Sequence, residues 1–246
     1  MADIEVSRDG RVQIVRFNRV EKKNAITRAM YKTMADAIVG ADSDPEIGAT
    51  VLLGQPEVFT SGNDLKDFMA VAMGSEHGGE VGEYLAAIAT GTKPLLAGVD
   101  GLAVGVGTTT LMHCDLVYAS PRAWLKTPFV DLGLVPEAAS SLIGPRIMGH
   151  QRAFELLIMG ERFSAEQARE AGLINAVVDT EELEDKVMTA ANNLANKPPE
   201  ALAISRRLVR GNRDEIVNRI KEEGEHFSAR LKSDEARQAF VAFMQG

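Results

Sequence analysis

Residues 94–119 read PLLAGVDGLAVGVGTTTLMHCDLVYA, and three kinds of local pattern follow one another inside them. Pro94 to Val99 is a short apolar run of strand length. Gly101 to Gly107 is rich in glycine and feeds a helical stretch through Leu111. Leu116 to Ala119 is a second short apolar run, again of strand length. The same order occurs upstream. Ala49 to Leu53 is apolar and flanked by glycines, and a loop follows it at Phe59-Thr60-Ser61-Gly62-Asn63-Asp64. Strand, turn and helix repeated in this way predict an α/β fold with parallel strand pairing.

The flanks fill in around that core. Ile4 to Ser7 and Val12 to Phe17 alternate apolar and polar residues across Asp9-Gly10, the pattern of a tight hairpin. Thr27 suits the N-cap of a helix to about Gly40, with Met30, Met34, Ala37 and Ile38 on one stripe. Residues 74–79 predict a mobile surface connection, and Tyr84 to Ala89 predicts a helix. From Asp131 onward the pattern is nearly all helical, with a break at Pro198-Pro199.

Composition narrows the class of protein. The chain has 246 residues, 45% apolar and 25% charged, which are ordinary globular proportions. Asp plus Glu outnumber Lys plus Arg by 35 to 27, for a net charge of −8. That balance argues against nucleic acid or an anionic membrane as the main partner, but not against a small anionic ligand. The one cysteine, Cys114, forms no internal disulfide, and no Cys/His cluster suggests a metal. The longest uncharged run spans 14 residues between Asp100 and Asp115, short of the roughly 20 that cross a bilayer. The first ten residues, MADIEVSRDG, lack the features of a signal peptide. A cytoplasmic location is the expectation.

Two glycine turns stand out because each sits where a strand hands over to a helix: Ser61-Gly62-Asn63-Asp64 and Gly105-Val106-Gly107. Glycine admits positive φ and close approach of a ligand, and free N–H groups at helix starts bind anions or a developing oxyanion. For either turn the alternative is a plain tight turn. A dinucleotide fingerprint fails, because Thr110 occupies its third glycine position. Glu137, in Pro136-Glu137-Ala138-Ala139-Ser140-Ser141, fits an acid at a helix start, facing the positive end of the dipole. It equally fits a buried carboxyl with a raised pKa, since its neighbours are mostly apolar or small. The four histidines share no ligand spacing; His113 reads as a packed core residue, and Cys114 as a small hydrophobe. No serine or cysteine has a recognisable base partner.

Taken together, these segments resemble the crotonase family, the enoyl-CoA hydratase/isomerase superfamily. The likeness begins at Lys22-Lys23-Asn24-Ala25-Ile26 and runs through Phe59 to Leu65 and Gly101 to Gly107. It continues at Gly160-Glu161-Arg162-Phe163-Ser164-Ala165 and at Ala171-Gly172-Leu173-Ile174. The resemblance implies a spiral of repeated ββα units over residues 1–196 and a C-terminal helical trimerisation region over 197–246. It also implies an acyl-CoA thioester substrate, coenzyme A being part of that substrate, with no separate cofactor and no metal. A homotrimer or a dimer of trimers is implied too.

The family's oxyanion donors correspond to the amides of Asn63 and Val106, where the family usually has glycine at the second. The two glutamates of the family's hydratases fall at Thr109 and Phe129, neither of which does acid–base work. Glu137 matches instead the acid of the Δ3,Δ2-enoyl-CoA isomerases, and the surrounding Thr127-Pro128-Phe129 and Ser61 to Leu65 are similar to that subgroup. The implied activity is a one-base conversion of 3-enoyl-CoA to 2-trans-enoyl-CoA, in fatty acid metabolism. Substrate contacts are expected from Lys22, Lys23, Asn24, Ala25, Ser61, Gly62, Asp64, Leu65, Gly105, Phe129 and Phe240, with Phe243 as a further aromatic candidate. Two rivals stand beside this reading: a hydratase or hydrolase using another acid such as Asp64 or Asp131, and a non-catalytic or RNA-associated member of the fold.

Overall fold

A computed structural model describes residues 2–72 and 79–245, apart from the side chains of 69–72 and 243–245. The expected surface connection at 74–79 therefore lies, but for Gly79, outside the described residues, as do His77 and the Phe243 side chain. The chain opens with an antiparallel hairpin, β1 (Ile4–Asp9) and β2 (Val12–Phe17). Its register pairs Asp9 with Val12, so the turn is Gly10-Arg11, one residue later than the alternation predicts. Gly10 supplies the positive φ of 56° that such a two-residue turn needs. Helix α1 (Arg28–Ser43) follows, with the Thr27 hydroxyl accepting the Met30 amide as N-cap.

From here the chain repeats itself. β3 (Ala49–Leu53) leads to β4 (Val58–Thr60), then to α2 (Leu65–Ala72) and α3 (Gly79–Thr90). β5 (Leu95–Val99) leads to β6 (Leu102–Val104) and α4 (Val106–Leu111). β7 (Leu116–Ala119) leads to β8 (Trp124–Lys126), and α5 (Ser140–Met148) comes after a loop. The first strand of each unit joins one sheet and the second joins another. Among the described residues the sheets run β1-β2-β3-β5-β7-β10 and β4-β6-β8-β9. The short strands β9 (Phe163–Ser164) and β10 (Ala176–Val177) close the sheets, with α6 (His150–Leu157) and α7 (Ala165–Glu170) nearby in sequence.

β3 and β5 are buried along their whole length, as parallel strands covered on both faces must be. One face carries α8 (Leu183–Ala195), whose Leu183, Val187 and Ala191 meet Val51, Leu53 and Leu96. The other face belongs to the larger core of α1 and α3, around Tyr31, Met34, Tyr84 and Ile88. The chain breaks at Pro198-Pro199 into α9 (Pro199–Arg210), then α10 (Arg213–Leu231) and α11 (Asp234–Gln245). α10 packs on α3 and α5. No helix among the described residues is long and apolar enough to cross a membrane.

The arrangement has one consequence for chemistry. β4 and β6 are parallel neighbours, so the two glycine turns at their carboxyl ends lie side by side.

Candidate active site

Contact between those turns explains their glycines. Gly62 has φ 88°, and a Cβ there would stand 2.8 Å from the Val104 carbonyl oxygen. A Cβ on Gly107 would stand 2.4 Å from the Thr60 Cγ2. Each glycine thus lets one turn press against the other.

The turns leave two amides uncommitted. Ile26 bridges Asn63 in parallel, its amide donating to the Gly62 carbonyl at 2.8 Å while the Asp64 amide donates to the Ile26 carbonyl at 2.9 Å. That pattern turns the Asn63 N–H to the opposite side. Val106 is the first residue of α4, where an N–H has no partner inside the helix. Neither amide finds an acceptor among the described residues. Val106 is 2% exposed, so its bulk is absorbed by the core and its amide stays at the helix start. The Asn63 side chain is fixed as well, because its Oδ1 accepts the Tyr31 hydroxyl at 2.6 Å.

Glu137 reaches this place from the loop before α5. It is 8% exposed, and its Oε1 accepts the Thr109 hydroxyl at 2.5 Å. Thr109 lies one turn into α4 and its side chain leans back toward Val106, with Oγ1 3.4 Å from the Val106 carbonyl. The carboxyl therefore stands beside the first turn of the helix that offers the Val106 amide. Burial pushes the Glu137 pKa from 4.5 up to about 7; the Thr109 hydrogen bond pulls it down and the charge of Glu223 pushes it further up. Phe129 and Leu134, each 5% exposed, belong to the same apolar cluster. Of the two readings open for Glu137, burial prevails. α5 begins only at Ser140, whose amide donates to the Glu137 main-chain carbonyl, and the flanking Ala139 and Ser141 amides serve Glu223 rather than the Glu137 carboxyl.

Other expected contacts are spread more widely. Lys22 and Lys23 are exposed, and the Lys23 carbonyl accepts the Ser61 amide at 2.9 Å, which ties the two family-like segments together. Asn24 has a different employment: it is fully buried, its Nδ2 donates to the Val58 and Phe59 carbonyls, and its Oδ1 accepts the Arg19 amide. It staples the loop. The Ala25 carbonyl accepts from Arg19, and the Gly105 amide donates to the Lys126 carbonyl. Leu65 opens α2, and its half-buried side chain packs on the main core. Phe240 is 5% exposed and meets Phe68 of its own chain edge to face, 5.6 Å between ring centres.

The alternative acids are poorly suited to proton transfer. Asp64 is partly buried, which would raise its pKa, but Arg19 at 2.7 Å and the Lys66 and Asp67 amides hold it below its ordinary value. Asp131 is exposed, with Lys126 3.9 Å away. Three residues of the site carry no signal in the sequence: Tyr31, hidden within a helical apolar stripe, and His113 and Glu223, whose partners lie 25 and 84 residues away.

Comparison with known proteins agrees with this architecture. The family described as enoyl-CoA hydratase/isomerase matches residues 7–245. Enoyl-CoA delta isomerase 2 of Rattus norvegicus is 36% identical over 247 residues, covering 98% of this chain and 63% of its own length. The chain therefore spans less than two thirds of that relative. The structure of Pseudomonas aeruginosa OdaA superposes with a TM-score of 0.95 at 42% identity, covering 100% of both chains. An enoyl-CoA hydratase/isomerase from Pseudoalteromonas atlantica T6c gives 0.94 at 37% identity, over 99% of this chain and 97% of that one. The chain belongs to the enoyl-CoA hydratase/isomerase family.

Proposed function

We propose that the chain isomerises 3-enoyl-CoA thioesters to the conjugated 2-trans-enoyl-CoA, with Glu137 as its acid–base group. One observation carries the reading: a buried carboxyl with a pKa near 7 stands beside the helix start that offers a free amide. The thioester oxygen would accept the Asn63 and Val106 amides. As Glu137 takes the C2 proton, negative charge moves onto that oxygen, and two fixed donors stabilise it by roughly 3–4 kcal/mol each. Protonated Glu137 then returns its proton at C4 on the same face, and the carboxylate is restored. A pKa near the working pH suits a group that must both accept and release a proton in each cycle.

The two positions where hydratases carry glutamate hold Thr109 and Phe129, and neither can activate water. Thr109 instead orients the base. Lys22 or Lys23 would meet the nucleotide phosphates, and Ser61 to Leu65 would line the pantetheine and thioester end. A trimer with the 197–246 helices at its centre, a place in fatty acid metabolism and a cytoplasmic location complete the proposal.

The test follows the absorbance of the conjugated enoyl-thioester with 3-hexenoyl-CoA and with crotonyl-CoA. A rise with the first and no loss with the second is expected. Loss with crotonyl-CoA alone would identify a hydratase, and silence on both a different thioester activity or a binding protein.

A further inference from the structure

Directly after Glu137 come Ala138 and Ala139, with φ of 59° and 55°. Alanine enters the left-handed region only where its surroundings hold it there. The peptide between these two residues is held at both ends. Its carbonyl, on Ala138, lies 2.7 Å from His113 Nε2. Its N–H, on Ala139, donates to Glu223 Oε2 at 2.6 Å. The other Glu223 oxygen accepts both the Ser141 amide at 3.0 Å and the Ser141 hydroxyl at 2.5 Å, and Arg219 donates to that hydroxyl at 3.0 Å. Since a carbonyl only accepts, His113 Nε2 carries the proton, and burial keeps the ring neutral with a pKa near 4.

Both holders are buried, His113 at 2% and Glu223 at 6% exposure, and they come from distant elements. His113 follows α4, the helix that begins with the Val106 amide; Glu223 lies in α10. An ordinary N-cap for α5 would be a side chain of the segment itself. Here Ser140 Oγ is buried without a partner, while a carboxylate 84 residues away takes the amide.

We propose that His113 and Glu223 are positioning residues: they hold the Ala138–Ala139 peptide in its left-handed path and so fix where the Glu137 carboxyl stands beside Thr109. This rests on Glu137 being the base. Glu137 is faced by Thr109 from α4, Tyr31 from α1, Tyr84 from α3 and Glu223 from α10. Glu223 is faced by Arg219, itself paired with Glu222, and His113 by Arg210, which donates to its carbonyl.

The test compares wild type with Glu223→Gln, His113→Leu and His113→Gln, reading the 13Cα and 13Cβ shifts of Ala138 and Ala139 together with kcat and KM for 3-hexenoyl-CoA. An amide at 223 can accept on only one side, so the Ala139 or Ser141 contacts are lost. In Glu223→Gln and His113→Leu the left-handed shifts are expected to disappear. kcat is expected to fall on the order of tenfold to a hundredfold, with KM within about twofold. His113→Gln keeps a donor and recovers most of the rate. Removing the Glu223 charge moves the acid limb of the pH profile to lower pH. Left-handed shifts that persist in both variants overturn the proposal whether or not the protein turns over this substrate, as does unchanged kcat where the shifts have moved. Lost shifts with an inactive wild type keep the clamp and overturn only the isomerase reading. Should Glu223→Gln fold poorly, adding Ala139→Gly, which reaches positive φ freely, is expected to restore folding and part of kcat; no recovery counts against the clamp.

Discussion

Glu137 is a residue whose two protonation states have opposite merits. Neutral, it suits its burial; ionised, it suits the role of base in the proposed isomerisation. Its pKa near 7 predicts that kcat/KM for 3-hexenoyl-CoA rises with pH through about 7 and levels off above, as a pH–rate profile would record. The same shift links to stability. A folded-state value above the ordinary 4.5 means that its contribution is complete below about 4.5 and is lost as pH rises through about 7. Glu137→Gln is therefore expected to be more stable than wild type at pH 9, by up to about 3 kcal/mol, with the advantage gone near pH 4.5. Urea unfolding at the two pH values measures this. Thr109→Val removes a hydrogen bond that favours the carboxylate, so the acid limb is expected to move to higher pH while kcat falls. The Pro136-Glu137-Ala138-Ala139 segment was legible as a candidate in the sequence, but the balance between burial and helix dipole was not. That balance depends on Glu223, which occupies the start of α5 from α10.

At the scale of elements, long periodic segments announced themselves and short ones did not. β3, β5 and β7 are apolar runs of four or five residues and were read to within a residue of their ends. β4, β6 and β8 have three residues each, too few for any period to register, so the second sheet leaves no mark in the periodicity and follows only from the family resemblance. Yet β4 and β6 are what set the two turns side by side. Gly62→Ala tests that contact. Its Cβ would meet the Val104 carbonyl oxygen at 2.8 Å in a backbone of φ 88°, and two backbones must then part. A loss of about 1–3 kcal/mol in stability is expected, with a larger fall in kcat than in affinity for a thioester product, read by calorimetry and steady-state kinetics.

At the scale of the whole molecule, the C-terminal helices reach the candidate site. α10 packs on α3 and α5 and supplies Glu223, so the loop that carries Glu137 leans on residues beyond 197. α9 shows the opposite face of this arrangement. None of its residues is buried, yet Ile204, Leu208 and Val209 are 41%, 73% and 88% exposed. An amphipathic helix gains most of its stability by burying its apolar side. In the proposed trimer this side would meet another subunit, so Leu208→Glu with Val209→Glu is expected to shift the sedimenting species toward monomer while Glu137 keeps its environment.

The most direct measurement is the pH dependence of 3-hexenoyl-CoA isomerisation in wild type and in Glu137→Gln, which keeps the shape of the side chain and removes its basicity. The proposed chemistry predicts a wild-type rate that titrates near pH 7 and a variant that lacks this titration and is slower by about a hundredfold to ten-thousandfold on the plateau above it. A Glu137→Gln protein that isomerises at the wild-type rate would contradict it.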